Sequence, residues 1–156
     1  GVFTGCWHCW WFSLRLDRNP GFRDSTKARA AHHRLQPDAV VLNNRKAVPL
    51  PPGEDVQGFE NDLPGENTAG FNTATVLDGP KETCLTMNGT WGYVPDDDAY
   101  KTVDELESTV RRAWAAGSNL LLNVGPRADG VIPLREQDLL RAVGARLRTE
   151  QVASSA

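Results

Sequence analysis

The sequence predicts an α/β fold, a parallel sheet whose strands are joined by helical crossovers. Two kinds of segment point to it. Short, almost wholly apolar runs such as Ala39-Val40-Val41-Leu42 and Leu120-Leu121-Leu122-Asn123-Val124 have the character of strands buried on both faces of a sheet. Segments with apolar residues at helical spacing alternate with them, and that alternation implies crossover connections. The length of 156 residues suits one domain. A content of 40 % apolar and 24 % charged residues, close to the globular average, argues against disorder over most of the chain.

Taken in order, Trp7 to Leu16 is aromatic and apolar enough for a buried strand, and Asn19-Pro20-Gly21 ends it. From Asp24 to Leu35, Ala28, Ala31 and Leu35 recur at helical spacing among basic residues. Pro37 stops that helix, because proline disfavours helical geometry in the residue before it. Ala39 to Leu42 follows as a short strand. Residues 46–80 hold many Gly, Pro, Asn and Asp and few periodic apolar positions, so they read as one long loop, a feature usually functional or disordered. A strand resumes over Glu82 to Met87. Thr102-Val103-Asp104-Glu105 has the spacing of a capping box, in which the Thr hydroxyl and the Glu carboxylate each take a backbone N–H. Val103, Leu106, Val110 and Trp114 then mark one helical face, and Gly117 supplies the stop. Leu120 to Val124 is a further strand. Pro133 opens the last helix, where its missing N–H is no loss, and Leu139, Leu140, Val143 and Leu147 form the buried stripe. A domain over residues 1–152 and a frayed tail over 153–156 complete the chain. This order fits an open doubly wound sheet and part of a closed barrel equally well.

Composition excludes several functions. A net charge of −3 is wrong for a nucleic-acid binder, whose phosphate contacts need a basic surface. No apolar run approaches the roughly 18–20 residues that cross a bilayer, and no basic stretch precedes the apolar start, so neither a membrane partner nor a signal peptide is expected. Cys6, Cys9 and Cys84 are too few for a disulfide scaffold or a four-cysteine zinc site and cannot all pair within one chain. Cys6-Trp7-His8-Cys9 has the gap of a redox pair but leads into Trp10-Trp11-Phe12, which reads as strand rather than the helix N-terminus that chemistry needs. His32 and His33 are adjacent on a helix and point about 100° apart, a poor arrangement for one metal ion. Arg23, Lys27, Arg29 and Arg34 read as the solvated face of a helix. Gly125 and Gly130 lack the Gly-Lys-Ser/Thr ending of a phosphate loop. No metal and no cofactor is expected.

Three ordered stretches resemble the α-L-fucosidases of glycoside hydrolase family 29. The first is Asn119-Leu120-Leu121-Leu122-Asn123-Val124-Gly125-Pro126, continuing through Asp129-Gly130 to Ile132-Pro133. The second is Glu82-Thr83-Cys84-Leu85-Thr86-Met87-Asn88 followed by Trp91-Gly92-Tyr93, and the third is Gln36-Pro37-Asp38 leading through Val40 and Val41 to Asn43-Asn44-Arg45. The resemblance runs from about Trp11 to Gln151. It implies the C-terminal half of a (β/α)₈ barrel, since a whole barrel needs about 250 residues.

The resemblance also implies a chemistry: retaining hydrolysis of terminal L-fucose from a fucosylated glycan. Such an enzyme needs two carboxyl groups about 5–5.5 Å apart, a nucleophile and an acid/base. Glu82 matches the family's acid/base, and Glu60, in the long loop, is the competing residue for that role at the sugar. The family's nucleophilic Asp follows a Trp-Phe-type pair, whereas Trp11-Phe12 is followed here by Ser13; Asp17 is the nearest carboxylate, about 13 Å further along an extended strand. Ser13 therefore keeps open a second reading, a catalytically inactive carbohydrate-binding fragment. Arg45 matches the arginine that contacts the sugar, and Trp11 and Trp91 are candidates to pack against its apolar face and methyl group. Family members are secreted, periplasmic or lysosomal, and the chain shows no address of its own. An open half-barrel exposes strand edges, which makes a homo-oligomer one expected form.

Overall fold

The computed structural model describes residues 25–44, 46–70 and 72–153. In chain order the described elements are helix α1 (Ser25–Leu35), strands β1 (Leu42–Asn43), β2 (Val56–Glu60) and β3 (Lys81–Thr86), helix α2 (Val103–Ala115), strand β4 (Ser118–Asn123) and helix α3 (Leu134–Ala153). The four strands form one sheet in the order β1-β2-β3-β4, and every neighbouring pair is parallel. A doubly wound sheet reverses its strand order part-way across. This one steps in a single direction, as the wall of a (β/α)₈ barrel does. The strand expected over Trp7 to Leu16 lies outside the described residues.

Strand β2 is the main departure from expectation, since the composition of residues 46–80 predicts an unbroken loop. Its signal is faint because the strand is only five residues long and carries a glycine at its centre. That glycine is required by close packing: a Cβ on Gly58 would lie 2.9 Å from the carbonyl oxygen of Asn43. Strand β1 is also displaced from the expected Ala39 to Leu42 and shortened to Leu42–Asn43. Ahead of it the pairing runs through a side chain, with Asp55 Oδ2 accepting from the N–H of Val41 at 2.8 Å and the Asp55 N–H donating to the Val41 carbonyl at 2.8 Å. One crossover among the described strands is helical, the α2 connection from β3 to β4; the other two are loops.

Register sorts the side chains onto two faces. Thr83 pairs with Leu120 and Leu85 with Leu122, and these share the face on which the helices pack. There Met87, Leu106, Val110 and Val143 form a buried cluster, closed by Leu120, Leu122, Val124, Leu139, Leu140 and Leu147. Each such residue, fully buried, contributes about 1.5–3 kcal/mol of hydrophobic stabilisation. The opposite face carries three rows: Gly58, Glu82 and Asn119; then Glu60, Cys84 and Leu121; then Thr86 and Asn123. Inward side chains of a barrel stack in such layers. Leu121 keeps 39 % of its surface exposed on this face.

Helix α2 begins as its capping box dictates: Thr102 Oγ1 accepts from the Glu105 N–H, and Glu105 Oε2 accepts from the Thr102 N–H at 2.7 Å. It ends at Gly117, whose φ of +66° suits a residue without a side chain. Its buried face is Leu106, Val110 and Ala113, whereas Trp114, expected on that face, is 49 % exposed. Positions 113 and 114 both follow Val110 by about one turn, and the small Ala113 is the one that meets the interior. Leu35, one of the residues at helical spacing in α1, is 75 % exposed. In α3 the stripe is as read, with Val143 fully inside, and Pro133 stands one residue ahead of the helix, its carbonyl accepting from the Gln137 N–H at 3.0 Å. Among the described residues no helix is long and apolar enough to cross a membrane.

Candidate active site

The ends of β1 to β4 where the chain leaves the sheet form one rim, and in a barrel that rim is where catalytic side chains gather. Glu60 is the last residue of β2 and lies beside Cys84 on the face opposite α2 and α3. Its carboxylate is 3.5 Å from the side-chain nitrogen of Asn44, a long and therefore weak contact. Lys46, at φ +58°, donates its ammonium to Asn44 Oδ1 at 3.0 Å and to the Gly58 carbonyl at 3.1 Å. An ammonium can only donate, so it holds the oxygen of the Asn44 amide toward itself and turns the amide NH₂ toward Glu60.

Burial pulls the Lys46 pKa down to about 8, with the negative charge of Glu60 and the field of Cys84 acting against that shift. Burial also pushes the Cys84 thiol up to about 12, helped by Glu60 and Glu82 and opposed by Lys46. Cys84 is therefore a protonated, space-filling thiol at neutral pH, not a nucleophile.

The backbone of Glu60 is held as firmly as its neighbours allow. On the side of β2 that faces β1, Val56 donates to the Val41 carbonyl at 3.3 Å, and the pairing runs on only as far as Asn43 with Gln57. Beyond that point the Lys46 ammonium takes the Gly58 carbonyl, and the Asn72 side chain takes both backbone groups of Glu60. Asn72 Oδ1 accepts from the Glu60 N–H at 3.0 Å and its Nδ2 donates to the Glu60 carbonyl at 2.7 Å. The same Nδ2 donates to Asp62 at 2.9 Å. Asp62 is 2 % exposed and also accepts from the Thr68 hydroxyl, the Thr68 N–H at 3.2 Å and the Ala69 N–H at 3.0 Å. Burial works to raise the Asp62 pKa, but the bonds from Thr68, Ala69 and Asn72 outweigh it and leave the carboxyl below its ordinary value. Further along, Glu66 accepts from the Leu63 N–H at 3.1 Å and from Arg112 of α2, which ties this loop to the helical layer.

Trp91 stands at the same rim, 41 % exposed. Asn123, the last residue of β4, donates to its carbonyl at 2.8 Å. The segment is pressed against β4's exit: a Cβ on Gly125 would lie 2.8 Å from both the Gly92 carbonyl carbon and the Tyr93 nitrogen. Glu136, 2 % exposed on α3, accepts from the Gly125 N–H at 3.0 Å and from the Tyr100 hydroxyl at 3.1 Å. Asn88 braces the start of this turn by donating to Asp97 at 2.7 Å.

Glu82 is placed differently. It is the second residue of β3, on the same face as Glu60 but in the row of Gly58 and Asn119, and Asn119 donates to its carboxylate at 2.8 Å. That row lies two residues, roughly 6–7 Å, behind the Glu60 row and away from the rim. Trp11, Ser13, Asp17 and Arg45 lie outside the described residues. Asn44, Lys46, Asp62 and Asn72 form the surroundings of Glu60, and sequence reading assigned none of them a role. Asn44 stood inside the quoted Asn43-Asn44-Arg45 motif; the other three carried no periodic or motif signal. His33 faces Asp55 at 3.3 Å and the Gly53 carbonyl at 3.3 Å.

A family model described as alpha-L-fucosidase matches residues 8–151 of this chain. The chain belongs to the α-L-fucosidase family. The plasma α-L-fucosidase of Rattus norvegicus is 33 % identical over 81 residues, which cover 50 % of this chain and 18 % of that protein. Its counterpart from Homo sapiens is 32 % identical over 81 residues, covering 50 % of this chain and 17 % of that one. Among solved structures, α-L-fucosidase isoenzyme 1 from Paenibacillus thiaminolyticus superposes with a TM-score of 0.65 at 33 % identity, over 80 % of this chain and 30 % of that one. The Thermotoga maritima α-fucosidase in complex with fucose superposes with a TM-score of 0.62 at 27 % identity, over 83 % of this chain and 26 % of that one. The chain thus spans less than a fifth of the length of these curated fucosidases and less than a third of these solved ones. Its sheet is part of a fucosidase (β/α)₈ barrel.

Proposed function

We propose that this chain supplies part of the active site of a retaining α-L-fucosidase, which removes terminal L-fucose from a fucosylated glycan. The observation that carries the reading is the position of Glu60, at the C-terminal end of a barrel strand and at the level of the site rim. In this reading Glu60 is the acid/base, delivering a proton to the departing oxygen and later taking one from water. Glu82 is set aside for that role because its row lies deeper, at the start of β3. Asp17 is the nucleophile by default of any closer carboxylate after Trp11-Phe12, and Arg45 binds the sugar hydroxyls. The exposed ring of Trp91, with Trp11, offers an apolar surface to the fucose methyl group.

The test is release of nitrophenol from an aryl α-L-fucoside. Glu60→Gln is expected to lower kcat by about a hundredfold or more, the usual range for losing an acid/base, while Glu82→Gln stays within about fivefold of the parent. The reverse pattern transfers the role to Glu82. Ser13, at the position of the family's nucleophile, favours a second reading, a sugar-binding protein without turnover. Measurable L-fucose binding with no nitrophenol release selects that one.

A further inference from the structure

The interval where β1 has ended and β2 continues is filled by side chains, and what they hold is the backbone of Glu60, the last residue of β2. We propose that Asn72, backed by Asp62, is a positioning residue for Glu60; this inference rests on the assignment of Glu60 as acid/base. In a parallel sheet the N–H and C=O of one residue face the same neighbouring strand. At Glu60 that neighbour is absent, since β1 pairs only as far as Asn43 with Gln57. The amide of Asn72 supplies one acceptor at 3.0 Å and one donor at 2.7 Å, which is what a peptide group of a continuing strand would supply. Asn72 is 8 % exposed, and its orientation is decided from behind: the Asp62 carboxylate can only accept, so it takes the NH₂ end of the amide at 2.9 Å. The Asn72 N–H, in turn, is anchored by Asn67 Oδ1 at 2.9 Å.

The arrangement allows β2 and β1 to part at the rim without leaving unsatisfied backbone groups beside Glu60. It also fixes the direction in which the Glu60 side chain leaves the strand. On the side-chain end, Asn44, its amide oriented by Lys46, makes a long contact of 3.5 Å to the carboxylate. A carboxyl that must meet a leaving oxygen at hydrogen-bond distance depends on such placement, because an ångström of drift costs a large factor in rate.

The test uses the full chain and two variants, Asn72→Ala and Asn72→Ser, on two aryl α-L-fucosides. One substrate releases dinitrophenolate, which departs without a proton, and the other releases phenolate, which needs one. The expected result is a fall in kcat/KM, which reports cleavage of the bond to the leaving group, of about tenfold or more on the phenyl substrate and less than about threefold on the dinitrophenyl substrate. Values of kcat/KM unchanged on both substrates, or lowered equally on both, overturn the proposal. Glu60→Gln is measured alongside. If it keeps its activity on the phenyl substrate, the assignment of Glu60 has failed and the positioning role with it; if it is impaired while both Asn72 variants are not, the positioning role alone has failed. Amide hydrogen exchange reads the same hold without turnover. The Glu60 N–H should exchange about tenfold faster in Asn72→Ala while the Val110 N–H in α2 keeps its protection, and equal protection of Glu60 in both proteins overturns the proposal.

Discussion

Replacing Gly125 with alanine tests whether the Trp91 segment is truly pressed against the exit of β4. The added methyl would meet three backbone atoms, Gly92 C at 2.8 Å, Tyr93 N at 2.8 Å and Gly92 O at 3.0 Å. Real Cβ atoms essentially never come closer than 3.0 Å to another heavy atom. Backbone cannot swing aside as a side-chain tip can, so the whole Gly92–Tyr93 peptide must move by several tenths of an ångström. Overpacking of this kind costs about 1–3 kcal/mol. At roughly 2–4 °C per kcal/mol for a chain of this size, a cost of about 2 kcal/mol lowers Tm by about 4–8 °C. The movement also drags Trp91, whose carbonyl is bonded to Asn123, so KM for an aryl fucoside should rise while kcat changes less. Thermal unfolding followed by circular dichroism reads the first effect and steady-state kinetics the second. Gly89→Ala is the control, because a Cβ there meets nothing within 4 Å, and it should stay within about 0.5 kcal/mol of the parent. The reasoning is refuted if Gly125→Ala melts within a degree or so of the parent, or if Gly89→Ala loses as much.

Thr102→Ala removes the side-chain half of the α2 capping box and should cost about 1 kcal/mol by urea unfolding, while Thr102→Ser costs much less. Lys46 has a depressed pKa, so the unfolded chain binds the extra proton between about pH 8 and the ordinary lysine value of 10.5. The stability of the parent should therefore rise through that window relative to Lys46→Met, and parallel stability curves for the two would contradict it. Cys84 is buried with its thiol pushed up to about 12, so at pH 8 iodoacetamide should leave its peptide unlabelled until urea is added, as judged by mass spectrometry.

Legibility from sequence followed the strength of local signals. Helix α2 could be read almost to the residue, because a capping box and a terminal glycine are local and their partners lie within four positions. Strand β4 announced itself through the run Leu120-Leu121-Leu122, whereas β3, with the sequence Lys81-Glu82-Thr83-Cys84-Leu85-Thr86, carries no such run. Strand β2 did not announce itself, because Gly58 exists to admit the Asn43 carbonyl, a contact between residues 15 positions apart that no local pattern records. The same limit applied to the site. Glu82 drew attention through its motif, but motif spacing carries no information about which end of a strand a residue occupies; the register Gly58↔Glu82 and Glu60↔Cys84 does. Asn72 and Asp62 matter through backbone bonds across a loop, so polar composition alone could not single them out. The homologous region was legible as a family because three motifs recur in order, and that ordering survives where individual roles do not.

The Glu136 carboxylate has a consequence for how this region can change over evolutionary time. One side chain of the last helix holds the Gly125 N–H beside the aromatic turn and also the Tyr100 hydroxyl. Losing the Tyr100 hydroxyl strands a Glu136 oxygen, and losing Glu136 strands both the hydroxyl and the Gly125 N–H, which any residue but proline would keep; substitutions at Tyr100 and Glu136 should therefore be inherited together rather than singly. A swap of the Trp91–Val94 turn between relatives, made to alter which glycans are accepted, would then succeed only when its matching helix travels with it.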